Sequence, residues 1–493
     1  MSTLDLLLIN PNGRKKIYQE LSSDLAAIEP PTWGVLLATS IRKRGPSVKL
    51  LDADAEGMTS EEVAAYVEKE DPRLVVMVVH GQQPSASTQN MPAAHDTCVA
   101  IKKKMSSRKI LMLGTHPSAL PERTMREEPI DYVCDGEGPS TILGLLQEKP
   151  DLTSIGSLWY RKGDAILHNP SAPLIENLDE EFSGFAWDLL PMEKYRAHNW
   201  HCFDRIHERM PYASIYTSFS CPFKCAFCCI ASPYGGAGQG YRRFSPEAVI
   251  QEIDVLVTKY KVRNIKFIDE MFVLNEKHVL GICDLIIERG YDLNIWAYAR
   301  IDTIKDSMIE KLKKAGFNWL GIGIESASKF VRDGMDKHFN VKDIKLIIDK
   351  VRASGINIGA NFIFGLPDDT MESMQQTLDM AIDVCPDWAN FYSAMAYPGS
   401  KLYTLAVEKK WPLPASWLGF SQHAFETLPL PTDHLPASDV LRFRDHAFHT
   451  FFTHPKYLAH VEKRFGPDTL KHVQDMTKHR LKRKYAASES VTA

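Results

Sequence analysis

Three cysteines with metal-binding spacing stand near the middle of the chain. Cys221, Cys225 and Cys228 are separated by four and three residues, so one loop can bring three thiolates to one metal centre. Three sulfur ligands would leave one iron of a four-iron cluster open to a further ligand, whereas a structural site with four protein ligands is closed. The spacing therefore predicts a 4Fe–4S cluster with an open iron.

Zinc is the main alternative for these thiols. A zinc site would need a fourth ligand, and the adjacent Cys229 is a poor one, because neighbouring residues rarely reach the same tetrahedron. His201 or Cys202 would then have to fold back onto the loop. A disulfide is disfavoured further, because nine cysteines in 493 residues without a secretory leader indicate a reducing compartment.

The overall composition indicates which partners the protein does not require and how many domains it contains. The chain has 58 Lys and Arg against 62 Asp and Glu, a near balance that argues against nucleic acid or an anionic membrane as an obligatory partner. No apolar run approaches the roughly 20 residues that span a bilayer. We expect a soluble cytoplasmic protein of two or three domains without a membrane span.

Residues 1–150 alternate apolar strands with helices. This pattern is typical of a parallel sheet that is covered on both faces. Five strands predict the doubly wound, flavodoxin-like order, in which ligands bind at the carboxyl ends of the strands. The loops at those ends contain glycine, which lets a flat ligand approach the backbone closely; they are residues 10–13, 80–87, 114–117 and 135–138.

The rest of the chain divides into three further regions. Residues 151–205 connect the domains and include a β-hairpin. Residues 206–405 resume the strand–helix alternation with six strands, too few for a closed eight-stranded barrel. Residues 406–493 leave that pattern and become mostly helical, after a segment rich in proline and aromatic residues. We expect an α/β protein with a doubly wound domain, a partial (β/α)6 barrel and a small helical C-terminal domain.

The cysteine loop resembles that of the radical S-adenosylmethionine (SAM) enzymes. The resemblance rests on the pattern CxxxCxxC, with Phe227 before the last cysteine and a β-like run at 213–217 before the loop. It implies that the amino and carboxylate groups of SAM chelate the open iron. The ends of the later strands match that family too, and the resemblance implies SAM-binding roles for Asp269, Glu270, Arg300, Glu325 and Ser326.

The N-terminal half resembles the cobalamin-binding domain of one radical SAM subgroup. The matching pieces include Asn10-Pro11, Gly114-Thr115-His116-Pro117 and Asp135-Gly136-Glu137-Gly138. The Asp-x-His-x-x-Gly motif that supplies an axial histidine in other cobalamin proteins is absent, so we expect base-off cobalamin with no protein histidine on cobalt. The predicted cobalamin-binding residues are Asn10, Ser85, Ser87, Gly114, His116, Gly136, Glu137 and Gly138.

Together these resemblances imply a cobalamin-dependent radical SAM enzyme. In such enzymes a 5′-deoxyadenosyl radical formed from SAM abstracts hydrogen from an unactivated carbon, and methylcobalamin then methylates a small-molecule substrate. An electron donor such as flavodoxin or ferredoxin is implied. The sequence identifies neither the substrate nor the catalytic residues.

Two alternatives stay open at this stage. One is a cyclase or ring-rearranging enzyme that resembles the anaerobic Mg-protoporphyrin monomethyl ester cyclase. The other is a non-catalytic protein that binds cobalamin and a cluster. A methylthiotransferase is disfavoured, because Cys98 and Cys134 are too few to bind a second cluster near the N-terminus.

Overall fold

The structure, a computed structural model, describes residues 4–81 and 83–486, apart from the side chains of residues 84, 85, 341 and 342. The strands are β1 (Leu6–Asn10), β2 (Val48–Asp52), β3 (Leu74–Val78), β4 (Ile110–Leu113), β5 (Tyr132–Cys134), β6 (Leu158–Lys162), β7 (Ala165–His168), β8 (Tyr212–Ile215), β9 (Ser218–Phe219), β10 (Arg242–Arg243), β11 (Asn264–Phe267), β12 (Asn294–Ala299), β13 (Phe317–Glu325), β14 (Asn357–Phe364) and β15 (Trp388–Ser393).

Helices follow most of the strands. They are α1 (Arg14–Tyr18), α2 (Thr32–Arg42), α3 (Ala53–Glu56), α4 (Ser60–Glu70), α5 (Pro84–Lys104), α6 (Thr115–Ala119), α7 (Pro121–Glu127), α8 (Pro139–Leu145), α9 (Leu178–Glu181), α10 (Pro246–Thr258), α11 (Glu276–Arg289), α12 (Asp306–Lys314), α13 (Lys329–Gly334), α14 (Val341–Ala353), α15 (Met371–Val384), α16 (Lys401–Glu408), α17 (Ala437–Phe452), α18 (Pro455–Phe465) and α19 (Pro467–Met476).

The first sheet has the predicted doubly wound order. Its strands run β2-β1-β3-β4-β5-β6-β7, and the first five are parallel. Consecutive residues of β1, such as Leu6 and Leu7, are both fully buried, as expected where helices cover both faces of a sheet. The hairpin β6–β7 was expected within the connecting segment; it instead pairs antiparallel with β5 and extends this sheet.

The second sheet is the predicted partial barrel. Six parallel strands follow the order β15-β14-β13-β12-β11-β8. The C-terminal helices were predicted as well, and they cover the edge strand β15. Phe451 of α17 contacts Phe391 at a ring-centroid distance of 5.6 Å, and His460 and Arg464 of α18 both lie 2.9 Å from the buried carboxylate of Asp387. An exposed edge is thereby removed.

Buried side chains join the two sheets. Trp33 of α2 is 3% exposed, and its ring lies 5.2 Å from Phe219 and 6.1 Å from Tyr216. Thr32 next to it donates to the carbonyl of Ser214 at 2.9 Å. The domain boundaries that the sequence predicts, at residues 150, 205 and 405, stay predictions. Among the described residues no helix has the length and apolarity to cross a membrane.

Candidate functional site

A cavity of about 890 Å³ extends from the carboxyl ends of the first sheet into the barrel. Asn10 and His80 border it from the first sheet, and Cys221 and Arg300 border it from the second. Because parallel strands place their carboxyl ends at one edge, the loops that follow them converge here. The cavity therefore unites the strand ends at which both ligand sites were predicted.

The cysteine loop forms one wall of this cavity. Cys221, Cys225 and Cys228 all border it. Two backbone hydrogen bonds hold the loop between neighbouring elements, from Ala226 N to Met335 O at 3.1 Å and from Leu402 N to Ala226 O at 2.8 Å. The three predicted thiols are thus brought to one surface by a loop that is tied at its middle.

Three thiols that border one cavity fit a four-iron cluster that takes one cysteine sulfur on each of three irons. Among the described residues, no three or more His, Cys, Asp or Glu side chains are grouped to hold one metal ion. A cubane cluster places each cysteine sulfur on a different iron, so its ligands need not surround one point. Burial raises the pKa of Cys221 to about 12 and that of Cys228 well above its usual value, so binding iron would displace their protons.

The suggested additional zinc ligands lie elsewhere. His201 is fully buried and bonds through Nε2 to the carbonyl of Asn294 at 3.0 Å. Cys202 is close to Asn264, with Sγ and Oδ1 3.4 Å apart. Asn264 and Asn294 begin β11 and β12, so both candidates sit at the amino end of the barrel. The idea that either folds back onto the cysteine loop is wrong.

Arg300 connects the cluster loop to β12. Its guanidinium lies 3.8 Å from the centroid of the Phe223 ring and donates from Nη1 to Cys225 Sγ at 3.5 Å. Asp302 balances the charge at 2.9 Å. The geometry thus places the predicted SAM residue in contact with a predicted cluster ligand.

Asp269 and Glu270 are adjacent but face different surroundings. Asp269 is fully buried and accepts from the backbone of Thr217 at 2.6 Å and from the hydroxyl of Ser218 at 2.8 Å. It therefore orders the backbone that leads into the cysteine loop. Glu270 borders the cavity, and burial raises its pKa to about 8. Of this pair, Glu270 is the one whose side chain a ligand can reach.

Glu325 ends β13 in an unusual conformation. Its φ is +66°, its side chain is paired with Lys337, and both residues border the cavity. A Cβ on Gly323 would lie 2.4 Å from Glu325 Oε1 and 2.6 Å from Lys337 Nζ. Ser326, by contrast, is fully buried and shares a 3.3 Å contact with Thr377 of α15, so its side chain is turned away from the cavity.

Asn10 is the predicted cobalamin residue that borders the cavity. Its Nδ2 donates to Asp52 Oδ1 at 2.8 Å, and Tyr195 donates to the other oxygen at 2.9 Å. Burial raises the pKa of Asp52 to about 6. Two strand ends, β1 and β2, are thereby linked. The side chain of Ser85 lies outside the described part of the structure.

The loops after β3 and β4 are bound to each other. Ser87 donates to the carbonyl of Val79 and accepts from the backbone of His116 at 3.0 Å. A Cβ on Gly114 would lie 1.9 Å from Val79 O, so close backbone approach requires this glycine. His116 is 1% exposed, lies 3.1 Å from Thr88 Oγ1 and packs edge-on against Trp417. These three predicted residues shape the loops rather than border the cavity.

Glu137 connects the loop after β5 to β10, which pairs with β9 in a small third sheet. It forms an ion pair with Arg242 of β10 at 2.9 Å and accepts from the backbone of Ile175 at 2.7 Å. Its neighbours Gly136 and Gly138 are closely surrounded: an added Cβ would lie 2.7 Å from Ser157 Oγ and 3.1 Å from Leu113. The predicted cobalamin-binding residues of this loop therefore all lie in close contact with other parts of the protein.

Other residues at the cavity escaped the sequence analysis. Lys337, Gln83 and Tyr298 border it, and Gln83 donates to the Tyr298 hydroxyl at 2.6 Å across the two sheets. Lys266 of β11 also borders it. A lysine in the middle of the apolar strand at 264–268 was a signal that could have found Lys266, because an isolated charge at a strand centre is poorly explained by packing.

Comparisons with known proteins agree with this arrangement. The model of the radical SAM superfamily matches residues 215–381, and that of the B12 binding domain matches residues 22–146. An uncharacterized methyltransferase of Pyrococcus horikoshii is 28% identical over 93% of this chain and 94% of its own. The anaerobic magnesium-protoporphyrin IX monomethyl ester cyclase of Rubrivivax gelatinosus is 24% identical over 92% of this chain and 78% of its own.

A solved structure supports the fold. The radical SAM methyltransferase TsrM of Kitasatospora setae, with cobalamin and a [4Fe-4S] cluster bound, superposes with a TM-score of 0.70 at 14% identity, and covers 97% of this chain and 100% of its own. At this identity the likeness shows the shared architecture. Both models match this one chain, the B12 binding domain first and the radical SAM superfamily second, so the protein belongs to the radical SAM superfamily and carries a B12-binding domain.

Proposed function

We propose that this enzyme methylates an unactivated carbon of a small molecule, using SAM, a 4Fe–4S cluster and cobalamin. The observation that carries the proposal is the shared cavity, which Asn10 and His80 border from one sheet and the three cysteines border from the other. A substrate carbon placed there would lie within reach of both cofactor sites. The similarity to the Pyrococcus horikoshii protein, which is named as a methyltransferase, supports methyl transfer.

We assign each residue to a cofactor by its position at the cavity. Cys221, Cys225 and Cys228 would hold the cluster, while Glu270, Arg300 and Glu325 would face SAM; all six border the cavity. Asn10 would face cobalamin. When bound, the cluster and SAM supply the radical that removes hydrogen, and cobalamin supplies the methyl group. The reaction would also need an external electron donor, such as flavodoxin or ferredoxin, to reduce the cluster.

The protein's own part includes excluding water. Leu481 borders the cavity, and the C-terminal segment that carries it is fastened by Arg483, which lies 2.9 Å from Asp445 and donates to Thr427 Oγ1 at 2.9 Å. Removing water protects a reactive radical from side reactions. The helical C-terminal region therefore closes one side of the site.

Both histidines near the predicted cobalamin site are engaged by the protein. His80 stacks on Trp33 at 4.8 Å and lies 3.1 Å from the Tyr216 hydroxyl. His116 packs between Thr88 and Trp417. Burial lowers the pKa of His80 to about 4 and that of His116 to about 3. These contacts support cobalamin bound without a histidine ligand on cobalt.

Product analysis tests the function directly. With a low-potential reductant and SAM, the reconstituted enzyme is expected to form 5′-deoxyadenosine, and with its true substrate also S-adenosylhomocysteine and a product heavier by one methylene unit. Mass spectrometry of all three products is the measurement. If no reductant yields 5′-deoxyadenosine, the protein binds its cofactors without catalysis and the proposal fails.

A cyclase is the second candidate, because the Rubrivivax gelatinosus cyclase aligns with 92% of this chain. A cyclisation would yield 5′-deoxyadenosine with the substrate but no S-adenosylhomocysteine and no added methyl group. That outcome would replace methyl transfer by ring formation, and the same mass spectra distinguish the two.

A further inference from the structure

The deep end of the cavity is a chamber with aromatic walls inside the barrel. Trp296 of β12 and Lys266 of β11 border the cavity, as do Trp200 and Trp388. The ring of Trp200 lies 5.1 Å from Trp296 and 6.2 Å from Trp388. Flat apolar walls of this kind favour a flat apolar ligand, because ring stacking adds to the burial of apolar surface.

Two residues that carry hydrogen-bond donors border this chamber. Trp296 is 3% exposed, and its indole Nε1 has no hydrogen-bond partner among the described residues. Lys266 is 1% exposed, and its Nζ lies 2.8 Å from Glu29 and 4.8 Å from the centroid of the Trp296 ring. An ammonium carries three N–H groups and Glu29 receives one. A buried donor without a partner is costly, which makes these donors candidates for a ligand.

The charges around the chamber determine whether a neutral or an anionic hydrogen-bond acceptor can bind there. Burial opposes ionisation of Glu29, but Lys266, His198 and the Tyr212 hydroxyl together lower its pKa below the usual value. Burial lowers the pKa of His198 to about 4, so this imidazole is neutral at pH 7. The Glu29–Lys266 pair is therefore balanced, and a second anion would carry an uncompensated charge into a desolvated site.

We propose that this chamber binds the substrate, that the substrate is a flat aromatic molecule, and that the N–H groups of Trp296 and Lys266 bind a neutral oxygen or nitrogen acceptor at its buried end. This inference rests on the proposed function for calling the ligand a substrate. The binding chemistry itself is independent of turnover, so each can fail without the other.

Three naphthalene probes test the acceptor. The full-length reconstituted protein is dialysed against 2-acetylnaphthalene, which has a neutral acceptor, 2-ethylnaphthalene, which has none, and 2-naphthoate, which is an anion. The acetyl probe is expected to bind about tenfold more tightly than the ethyl probe and than the naphthoate. The stretching frequency of its carbonyl, measured by infrared spectroscopy with a ¹³C label, is expected to fall on binding.

The chain offers a matched control for the indole. Trp319 is also fully buried, and its Nε1 also has no partner among the described residues, but it packs against Phe465 and does not border the cavity. Trp296→Phe should weaken binding of the acetyl probe about fivefold and reverse part of the carbonyl shift. Trp319→Phe, the same chemical change, should alter neither. Because Trp296→Phe also makes the wall smaller, the loss is read from the ratio of acetyl to ethyl affinity, which Trp319→Phe should leave unchanged.

A second variant removes the other donor without leaving a buried charge. The double substitution Glu29→Gln with Lys266→Met should also weaken binding of the acetyl probe severalfold. The proposal fails if the acetyl and ethyl probes bind equally, if Trp296→Phe and Trp319→Phe behave alike, if naphthoate binds most tightly, or if no naphthalene binds. Formation of 5′-deoxyadenosine from SAM, measured separately, reports on the proposed function alone.

Discussion

Glu325 shows how backbone strain is used at the scale of single residues. A non-glycine residue with φ of +66° is unfavourable by about 1–3 kcal/mol, and such strain concentrates at functional sites. The pairing of β13 with β14 shifts register between Gly323 and Glu325. The bulge turns the carboxylate toward the cavity and Lys337, which a regular strand ending would not achieve.

Substitutions at two glycines test the role of Glu325. Gly323→Ala is expected to displace the Glu325–Lys337 pair, because the new Cβ would lie 2.4 Å from Glu325 Oε1. Gly359→Ala, on the neighbouring strand, brings its Cβ no closer than 3.9 Å to another residue. The first change, like Glu325→Gln, should weaken binding of S-adenosylhomocysteine about tenfold, measured by calorimetry. Equal affinities of the two glycine variants would contradict a role for Glu325 in SAM binding.

The cysteine loop is the element that decides the metal chemistry. Cys225→Ala or Cys228→Ala should abolish the cluster, whereas Cys229→Ala should leave about four irons per chain after anaerobic reconstitution. Cys229 borders the same cavity and is 3% exposed, so it controls for the loss of any thiol there. Iron content and visible absorbance are the measurements. Loss of iron in Cys229→Ala alone would overturn the ligand assignment.

The loops after β3 and β4 carry the two histidines that bear on the proposed state of cobalt. Because His80 and His116 are engaged by Tyr216 and Thr88, the paramagnetic resonance spectrum of bound cob(II)alamin is expected to lack nitrogen superhyperfine splitting. His80→Phe and His116→Phe should leave that spectrum unchanged. A three-line nitrogen splitting that disappears in one of these variants would identify that histidine as the axial ligand.

At the scale of the whole molecule, Glu137 and Arg242 connect the loop after β5 in the N-terminal domain to the β9–β10 strand pair. Both are mostly buried and 2.9 Å apart, so removing either partner leaves a charge without compensation. Glu137→Gln and Arg242→Met should each lower the free energy of unfolding by about 2 kcal/mol, and the double variant by less than the sum. Urea denaturation measures these differences.

The same two variants distinguish a structural role of Glu137, exerted through Arg242, from a role in cobalamin binding. If Glu137 acts through Arg242, both substitutions should change cobalamin affinity alike. A loss of cobalamin affinity in Glu137→Gln without a change in stability, and with Arg242→Met unaffected, would instead identify Glu137 as a direct cobalamin contact.

Much of the architecture was predictable because it follows from local patterns. Apolar strands that alternate with helices impose parallel sheets with right-handed connections, and both strand orders agree with this expectation. That Cys221, Cys225 and Cys228 border one cavity was predictable for the same reason, since the three lie within eight residues of sequence.

The direction of individual side chains was not predictable. SAM-binding roles were predicted for both Asp269 and Glu270 and for both Glu325 and Ser326, but in each pair one side chain borders the cavity and the other packs inside the protein. Adjacent residues at a strand end point to opposite sides. Which one faces the ligand depends on the register of the finished barrel, and no short stretch of sequence contains that register.

The sequence by itself therefore determined the two domain families, through motifs within single loops, and the order of the strands, through periodicity. Only the tertiary structure decided the contacts between distant segments. Lys266 meets Glu29 across 237 positions of the chain, and Gln83 meets Tyr298 across 215. Such partners are set by how two sheets pack at their carboxyl ends, and that packing depends on the whole buried surface between them.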